Sequence, residues 1–369
     1  MIRKSGAGYE VWTGILLLAA GVSMASGVAK VKDNAPDERV LNEKVTTYVR
    51  AKFGIPDTVT ISASPFQASN FPGFLTSMIT TDDGKTPKNT PVFLTNDHHY
   101  LIVGVLFAVT KDPKNELIQH IREQFKVPET TTLTAGSFHD SGIPNFQATT
   151  VSAESAKGKQ TQDFYITADN RVLVLGNILN LGVDLRREAL RTIVTTNRPS
   201  QGPAHAPVTI VEYADLECPM CAKLHQFLEK DLLPKYGDKV RLIFKEFPLP
   251  MHDWSQSAAI ANECVFQIKP EAFADYRSLV FQNQAAINVA NARDNLLNYA
   301  DQMGIDRVKL AGCLDSQASL RQVEEGRREA KELEVQSTPT CFINGRMLIG
   351  FISPDAYYKA VDAALKEAK

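Results

Sequence analysis

Residues Val211–Phe227 read "VEYADLECPMCAKLHQF" and hold two cysteines, Cys218 and Cys221, in a Cys-x-x-Cys pair. By itself such a pair fits a metal site, a crosslink or a redox centre. Its surroundings narrow the choice. The apolar run "APVTIVEYADLEC" predicts a strand that feeds directly into the pair, "MCAKLHQFLEKDLLPKYG" predicts a helix behind it, and "VRLIFKEF" predicts a second strand. This is a β-α-β unit, whose crossover is right-handed.

A thiol at the first turn of a helix meets unpaired backbone N–H groups and the positive end of the helix dipole, which favour the thiolate. Cys218 occupies that place and is expected to be exposed and nucleophilic. Cys221, one turn on, is expected to be more buried and to act as the resolving thiol. A zinc site needs four ligands, usually as paired motifs, and the chain has no second Cys-x-x-Cys and no His pair near this one. No metal and no cofactor are expected.

Downstream, residues of about 253–335 are mostly helical in pattern. "STPTCFINGRMLIGF" follows as a hairpin around Asn344-Gly345, and a last helix begins at Pro354. The motifs "ADLECPMC", "FKEFPL" and "STPTCFINGR" stand in the order and spacing of the DsbA-like branch of the thioredoxin superfamily, which the chain resembles from roughly 202 to 369. The resemblance implies an α/β thioredoxin fold over 206–369 with a helical insertion. It also implies protein disulfide oxidoreductase chemistry through a CPMC site.

Several further residues acquire roles from that resemblance. Pro219-Met220 lies between the cysteines and modulates the redox potential; Met220 stands where strongly oxidising members carry a His. Glu212 and Lys245 match an acid and a base beneath the resolving cysteine, with an ordinary strand-end ion pair as the other reading of Lys245. Thr338-Pro339 matches the cis-proline opposite the pair, and Thr at that place is shared with the disulfide isomerases. Cys264 and Cys313 fall where several relatives carry cysteines and are expected to form a structural disulfide. Cys341 is then a buried small hydrophobe or a thiol with a redox role. His225, four residues after Cys221, reads as a helix-surface histidine or a proton donor. The run "EEGRREAKELE" reads as a solvated helix face.

The N-terminal half contains an internal repeat. In the two copies, 38–113 and 114–185, residues from about 42 to 113 align without a gap on 114–185 at a constant offset of 72 (Thr95 to Thr167, Gly104 to Gly176), and Arg50, Phe74, Asp97 and Asp112 meet Arg122, Phe146, Asp169 and Asp184 in the same register. Each copy opens with a helical pattern and closes on a hairpin, turning at Asn96-Asp97 or Ala168-Asp169-Asn170. His98-His99 in the first copy reads as turn surface. Each copy resembles the small dimerisation module of the DsbC-type isomerases, here duplicated as an α+β tandem. A helix from Asp184 and a Pro/Gly/Ser-rich linker, together 184–205, lead to the second domain.

Lys plus Arg (40) against Asp plus Glu (42) gives a net charge of -2, which offers no global attraction for nucleic acid or an anionic membrane. Arg3 and Lys4 precede an apolar run and then small residues, so 1–29 reads as a secretory signal, with an uncleaved anchor over 11–29 as the alternative. The expected protein is a soluble, periplasmic or otherwise extracytoplasmic thiol-disulfide oxidoreductase. Its partners are exported proteins with cysteines and a membrane or soluble redox partner. The alternatives are a DsbC/DsbG-type isomerase or reductase, and a folding helper in which the repeats do the work. A monomer with an intramolecular pseudo-dimer is expected, a homodimer being the other possibility.

Overall fold

The computed structural model describes residues 38–156 and 158–368, so the expected signal at 1–29 lies outside the described residues. The chain divides into two compact units, one built on Thr60–Gly182 and the other on Val183–Lys369 together with Val49–Val59.

In the first, the strands β1 (Thr60–Ala63), β2 (Gln67–Ala68), β3 (Phe74–Asp82), β4 (Lys88–Thr95) and β5 (Tyr100–Ala108) follow helix α1 (Glu38–Lys52) in sequence. Helix α2 (Pro113–Gln124) precedes β6 (Thr132–Ala135), β7 (His139–Asp140), β8 (Phe146–Ser155), β9 (Gly158–Thr167) and β10 (Val172–Asn180). Helix α2 starts where Asp112 accepts from the Lys114 and Asn115 amides and Pro113 takes the first helical position. At its other end Arg122 donates to the carbonyls of Val127, Pro128 and Thr131, and Arg50 does the same for Ile55, Pro56 and Val59.

One antiparallel sheet results, in the order β1-β3-β4-β5-β10-β9-β8-β6. Its middle pair, β5 and β10, is in register at Gly104↔Gly176, with Val105↔Leu175 on one side and Val103↔Asn177 on the other. The pairing is therefore two-fold symmetric about the two glycines, as in an isologous interface. A Cβ on Gly104 would lie 2.4 Å from the Leu175 carbonyl oxygen, and one on Gly176 2.4 Å from that of Val103. Alternation along β10 sends Leu173 and Leu175 to a core with Leu117, Ile121 and Phe164, and Val172 and Val174 to another with Phe74 and Phe146. Both hairpin turns use the same device: Asp97 accepts from Thr95 Oγ1 and the His99 amide, Asp169 from Thr167 Oγ1 and the Arg171 amide. His98 sits in the first turn with a left-handed backbone (φ 57°).

After the Val49–Val59 segment, the second unit continues with α3 (Leu185–Thr192), capped by Asp184. Its sheet comprises β11 (Ser200–Gln201), β12 (Val208–Ala214), β13 (Val240–Glu246), β14 (Thr340–Ile343) and β15 (Arg346–Ile349), in the order β11-β13-β12-β14-β15. Within 184–205 the stretch after α3 adds the short strand β11, whose Ser200 and Gln201 pair with Ile243 and Leu242 on the open edge of β13. β12 and β13 are parallel, joined through α4 (Pro219–Phe227), a π turn (Leu228–Leu232) and α5 (Leu233–Tyr236). Between β13 and β14 come five α-helices: α6 (Ser255–Ile268), α7 (Phe273–Gln282), α8 (Ala292–Gln302), α9 (Arg307–Asp315) and α10 (Leu320–Glu332). Helix α11 (Pro354–Glu367) ends the chain's described structure.

Ile210, Leu242, Phe244 and Cys341 pack on one face with Leu224, Phe227 and Tyr357 of α4 and α11. Val211, Tyr213 and Ile243 pack on the other face with Ala189 of α3 and Ala330 of α10. The Asn344-Gly345 turn has φ values of 45° and 82°, the left-handed pair that an Asn-Gly hairpin supplies. Asn344 Oδ1 also accepts from the Thr209 amide at 2.8 Å, tying the hairpin to β12. This is the thioredoxin arrangement with a helical insertion. Among the described residues no helix is long and apolar enough to cross a membrane.

Candidate active site

The turn from β12 into α4 is held by two carboxylates that the sequence did not bring forward. Buried Asp215 accepts from the amides of Glu217 and Leu249, both at 2.7 Å, and lies 2.7 Å from His252 Nδ1. Glu217 accepts from the Trp254 amide at 2.7 Å. Both anchor the loop carrying Cys218 to the segment leading into the insertion. Their only sequence signal is their position in "ADLEC", immediately before the pair.

Cys218 is the N-cap of α4 and Pro219 takes the first helical position, where its missing N–H costs no bond. The structure holds Cys218 and Cys221 as free cysteines. Cys218 is 7% exposed, not open as expected, while Cys221 is fully buried and Met220 is 38% exposed beside them. Cys218 Sγ is 3.5 Å from the Thr338 carbonyl oxygen, and the Thr338-Pro339 peptide is cis.

The two thiols are electrically unlike. A hydrogen bond from Cys221 draws the Cys218 thiol down to about 5; burial opposes this, and the Thr338 hydroxyl with the Cys221 and Met220 amides assists it. That hydroxyl is buried and has no hydrogen-bond partner within bonding distance. Burial pushes the Cys221 thiol well up, reinforced by the bond it gives Cys218 and by the negative charges of Cys218 and Glu212.

Glu212 is fully buried and in register with Cys341 on β14 and Phe244 on β13. Burial raises its carboxyl to about 7; Arg277 pulls the other way, and Glu246 and Glu229 push further up. Arg277, fully buried on α7, has Nη2 3.6 Å from Glu212 Oε2 and Nη1 2.5 Å from Glu246 Oε1. Its guanidinium lies 5.0 Å from the Phe244 ring centre and 5.2 Å from that of Phe281. Nothing in the motifs pointed to Arg277; its signal was one cation inside the otherwise uncharged, mostly apolar "YRSLVF".

Lys245 is not beneath the resolving cysteine. It is in register with Tyr213, so strand alternation turns it to the opposite face from Glu212. There it donates to the Val194 carbonyl at 2.6 Å and pairs with Glu329 at 2.8 Å. Glu329 also accepts from Tyr213. This corrects a second expectation, since "EEGRREAKELE" contributes the nearly buried Glu329 and is not solvated throughout. His225 is likewise not on the surface: it is buried, 2.7 Å from Ser278 Oγ, and burial with the Arg277 charge lowers it to about 3, which keeps it neutral. Cys341 is fully buried with its thiol pushed up by burial. Cys264 and Cys313 are joined, their Cα atoms 6.1 Å apart, linking α6 to α9.

A family model described as Thioredoxin matches residues 195–363. The chain is 27% identical over 176 residues to the disulfide bond formation protein D of Bacillus subtilis, covering 46% of this chain and 78% of that protein. It is 32% identical over 170 residues to a Na(+)/H(+) antiporter NhaA 3 of Salinispora tropica, covering 46% of this chain. The chain spans about a quarter of the antiporter's own length. Among solved structures, oxidised BdbD of Bacillus subtilis is similar at 26% identity and a TM-score of 0.42, covering 47% of this chain and 95% of that one. The C-terminal half of this chain thus holds a thioredoxin-like domain, with the Cys218/Cys221 pair at its strand-to-helix turn.

Proposed function

We propose that the protein is an exported thiol-disulfide oxidoreductase that exchanges disulfides with cysteine-containing proteins through Cys218. The observation that carries this reading is the asymmetric placing of the pair: Cys218 caps α4 beside the Thr338 carbonyl with its thiol drawn down, and Cys221 is fully buried behind it with its thiol pushed well up. Such a pair accepts attack at one sulfur and delivers attack from the other.

In the oxidising direction a client thiolate attacks Sγ of Cys218 in the closed disulfide. Cys221 leaves as a thiolate and takes the proton held by Glu212. A second client thiolate then attacks the client sulfur, the client disulfide forms, and Cys218 leaves as a stabilised thiolate. Reversing every step reduces a client disulfide, with Glu212 accepting the Cys221 proton. The exposed Met220 and the backbone of Thr338 form the rim a client strand would meet.

The Cys264–Cys313 crosslink supports an oxidising compartment, where such bonds persist. The symmetric Gly104↔Gly176 pairing supports a monomer in which the two repeats make a client platform inside one chain. Cys221→Ala is the test. With the resolving thiol gone, clients should accumulate as mixed disulfides on Cys218. Cells with no such adducts would overturn the exchange reading and leave a folding helper that acts through the repeats.

A further inference from the structure

We propose that Arg277 is the positioning residue of the exchange reaction: its permanent positive charge, delivered by the helical insertion, holds the Glu212 carboxylate ready to trade a proton with Cys221. The inference rests on the exchange reading above.

Glu212 is enclosed by ionisable groups from every element packed against it. Cys221 and His225 face this region from α4, Glu229 from the π turn, Glu246 from β13, and Cys341 from β14. Tyr357 of α11 feels Glu212, and Glu263 of α6 feels Glu246 and Arg277. These groups are neutral or anionic, and Arg277 is the cation set among them.

Neither oxygen of Glu212 has a hydrogen-bond partner, although both are buried. Left to burial alone, such a carboxyl stays protonated and cannot accept a proton from a thiol. The guanidinium 3.6 Å away restores that capacity without occupying the oxygens, and it cannot itself lose its charge. Glu246 and the rings of Phe244 and Phe281 fix where that charge sits. Glu246 competes for the same guanidinium: its own charge raises Glu212, while its 2.5 Å contact orients the cation.

In the resolving step the Cys221 proton passes to Glu212, and the Cys221 thiolate attacks Sγ of Cys218. The bond from Cys218 to the leaving sulfur breaks, and that sulfur departs as a thiolate. No other oxidant or reductant is needed. Arg277 acts on the first event alone.

The test uses oxidised glutathione with the full-length reduced protein, following by acid quench and mass both the glutathione adduct at Cys218 and its loss as the internal disulfide closes. Arg277→Met should move the inflection of adduct loss upward by about 1–3 on the pH scale, with adduct formation unchanged, because an opposite charge at this range moves a carboxyl by that much. Arg277→Lys should recover most of the wild-type profile. Glu246→Gln, which keeps the packing, should move the inflection downward, so an unfolded Arg277→Met still leaves a decision. Folded variants that close at the wild-type inflection overturn the role of Arg277. If wild-type Cys218 forms no adduct at all, the exchange reading itself fails, which is a different result.

Discussion

Glu212 and Lys245 stand on neighbouring parallel strands but on opposite faces of the sheet, since Tyr213 is the residue in register with Lys245. The carboxylate meets Arg277 behind the Cys pair, and the ammonium meets Glu329 against α10. A change at Lys245 should therefore register in stability and not in thiol chemistry. Lys245→Met leaves Glu329 buried without its ion partner, an arrangement that typically costs about 3–5 kcal/mol. Chemical denaturation checks the loss, and an unmoved Cys221 titration checks that the site is untouched.

The raised carboxyl of Glu212 makes stability depend on pH in a defined direction. The unfolded chain ionises this group near 4.5 and the folded chain only near about 7. The folded state thus retains a proton that the unfolded state has lost, and stability falls as pH rises through that window. In Glu212→Gln the stability difference between pH 4.5 and pH 7.5 should shrink by about 3 kcal/mol, since each tenfold change in proton affinity is worth about 1.36 kcal/mol. Denaturant melts at the two pH values measure it.

Cys218 should be the first thiol alkylated in the reduced protein, with a rate that falls as pH drops through about 5, where its thiolate is protonated. Cys221 and Cys341, buried and pushed up, should lag behind it at every pH below neutrality. Peptide mapping after brief iodoacetamide treatment reads this out. Earlier labelling of Cys341 would contradict the assignment.

The Cys264–Cys313 bond closes a loop with a sequence separation of 49. Chain entropy predicts that Cys264→Ser with Cys313→Ser lowers stability by about 4 kcal/mol, less if the reduced unfolded chain keeps structure. Urea titration of the double variant measures the loss. Cys218 alkylation should be unaffected.

At the centre of the ten-stranded sheet, Gly176→Val should break the β5–β10 pairing, because its Cβ would lie 2.4 Å from the Val103 carbonyl oxygen. The wild-type protein should scatter light as a single chain at micromolar concentration. The variant should lose cooperative melting of this unit, and a stable wild-type dimer would place the β5–β10 type of pairing between chains.

Much of this was already legible in residues 206–369. The Cys pair, the apolar strands on either side of its helix, the Asn344-Gly345 turn and Thr338-Pro339 are local signals, each carried by a few consecutive residues. Glu212 was legible too, through its spacing from Cys218. What only the tertiary structure decided was which groups share a face and what each loses in hydration by being there. The pairing register sent Lys245 away from the site, and a helix far along the chain brought in Arg277. Closure of the insertion over the pair buried Cys218 and His225, because packing excludes water from positions that a helix or strand pattern leaves open. Local sequence determines the elements and the chemistry they can carry. The charge state of Cys218, Cys221 and Glu212 depends on burial and on neighbours distant in sequence, and those exist only once the chain has folded.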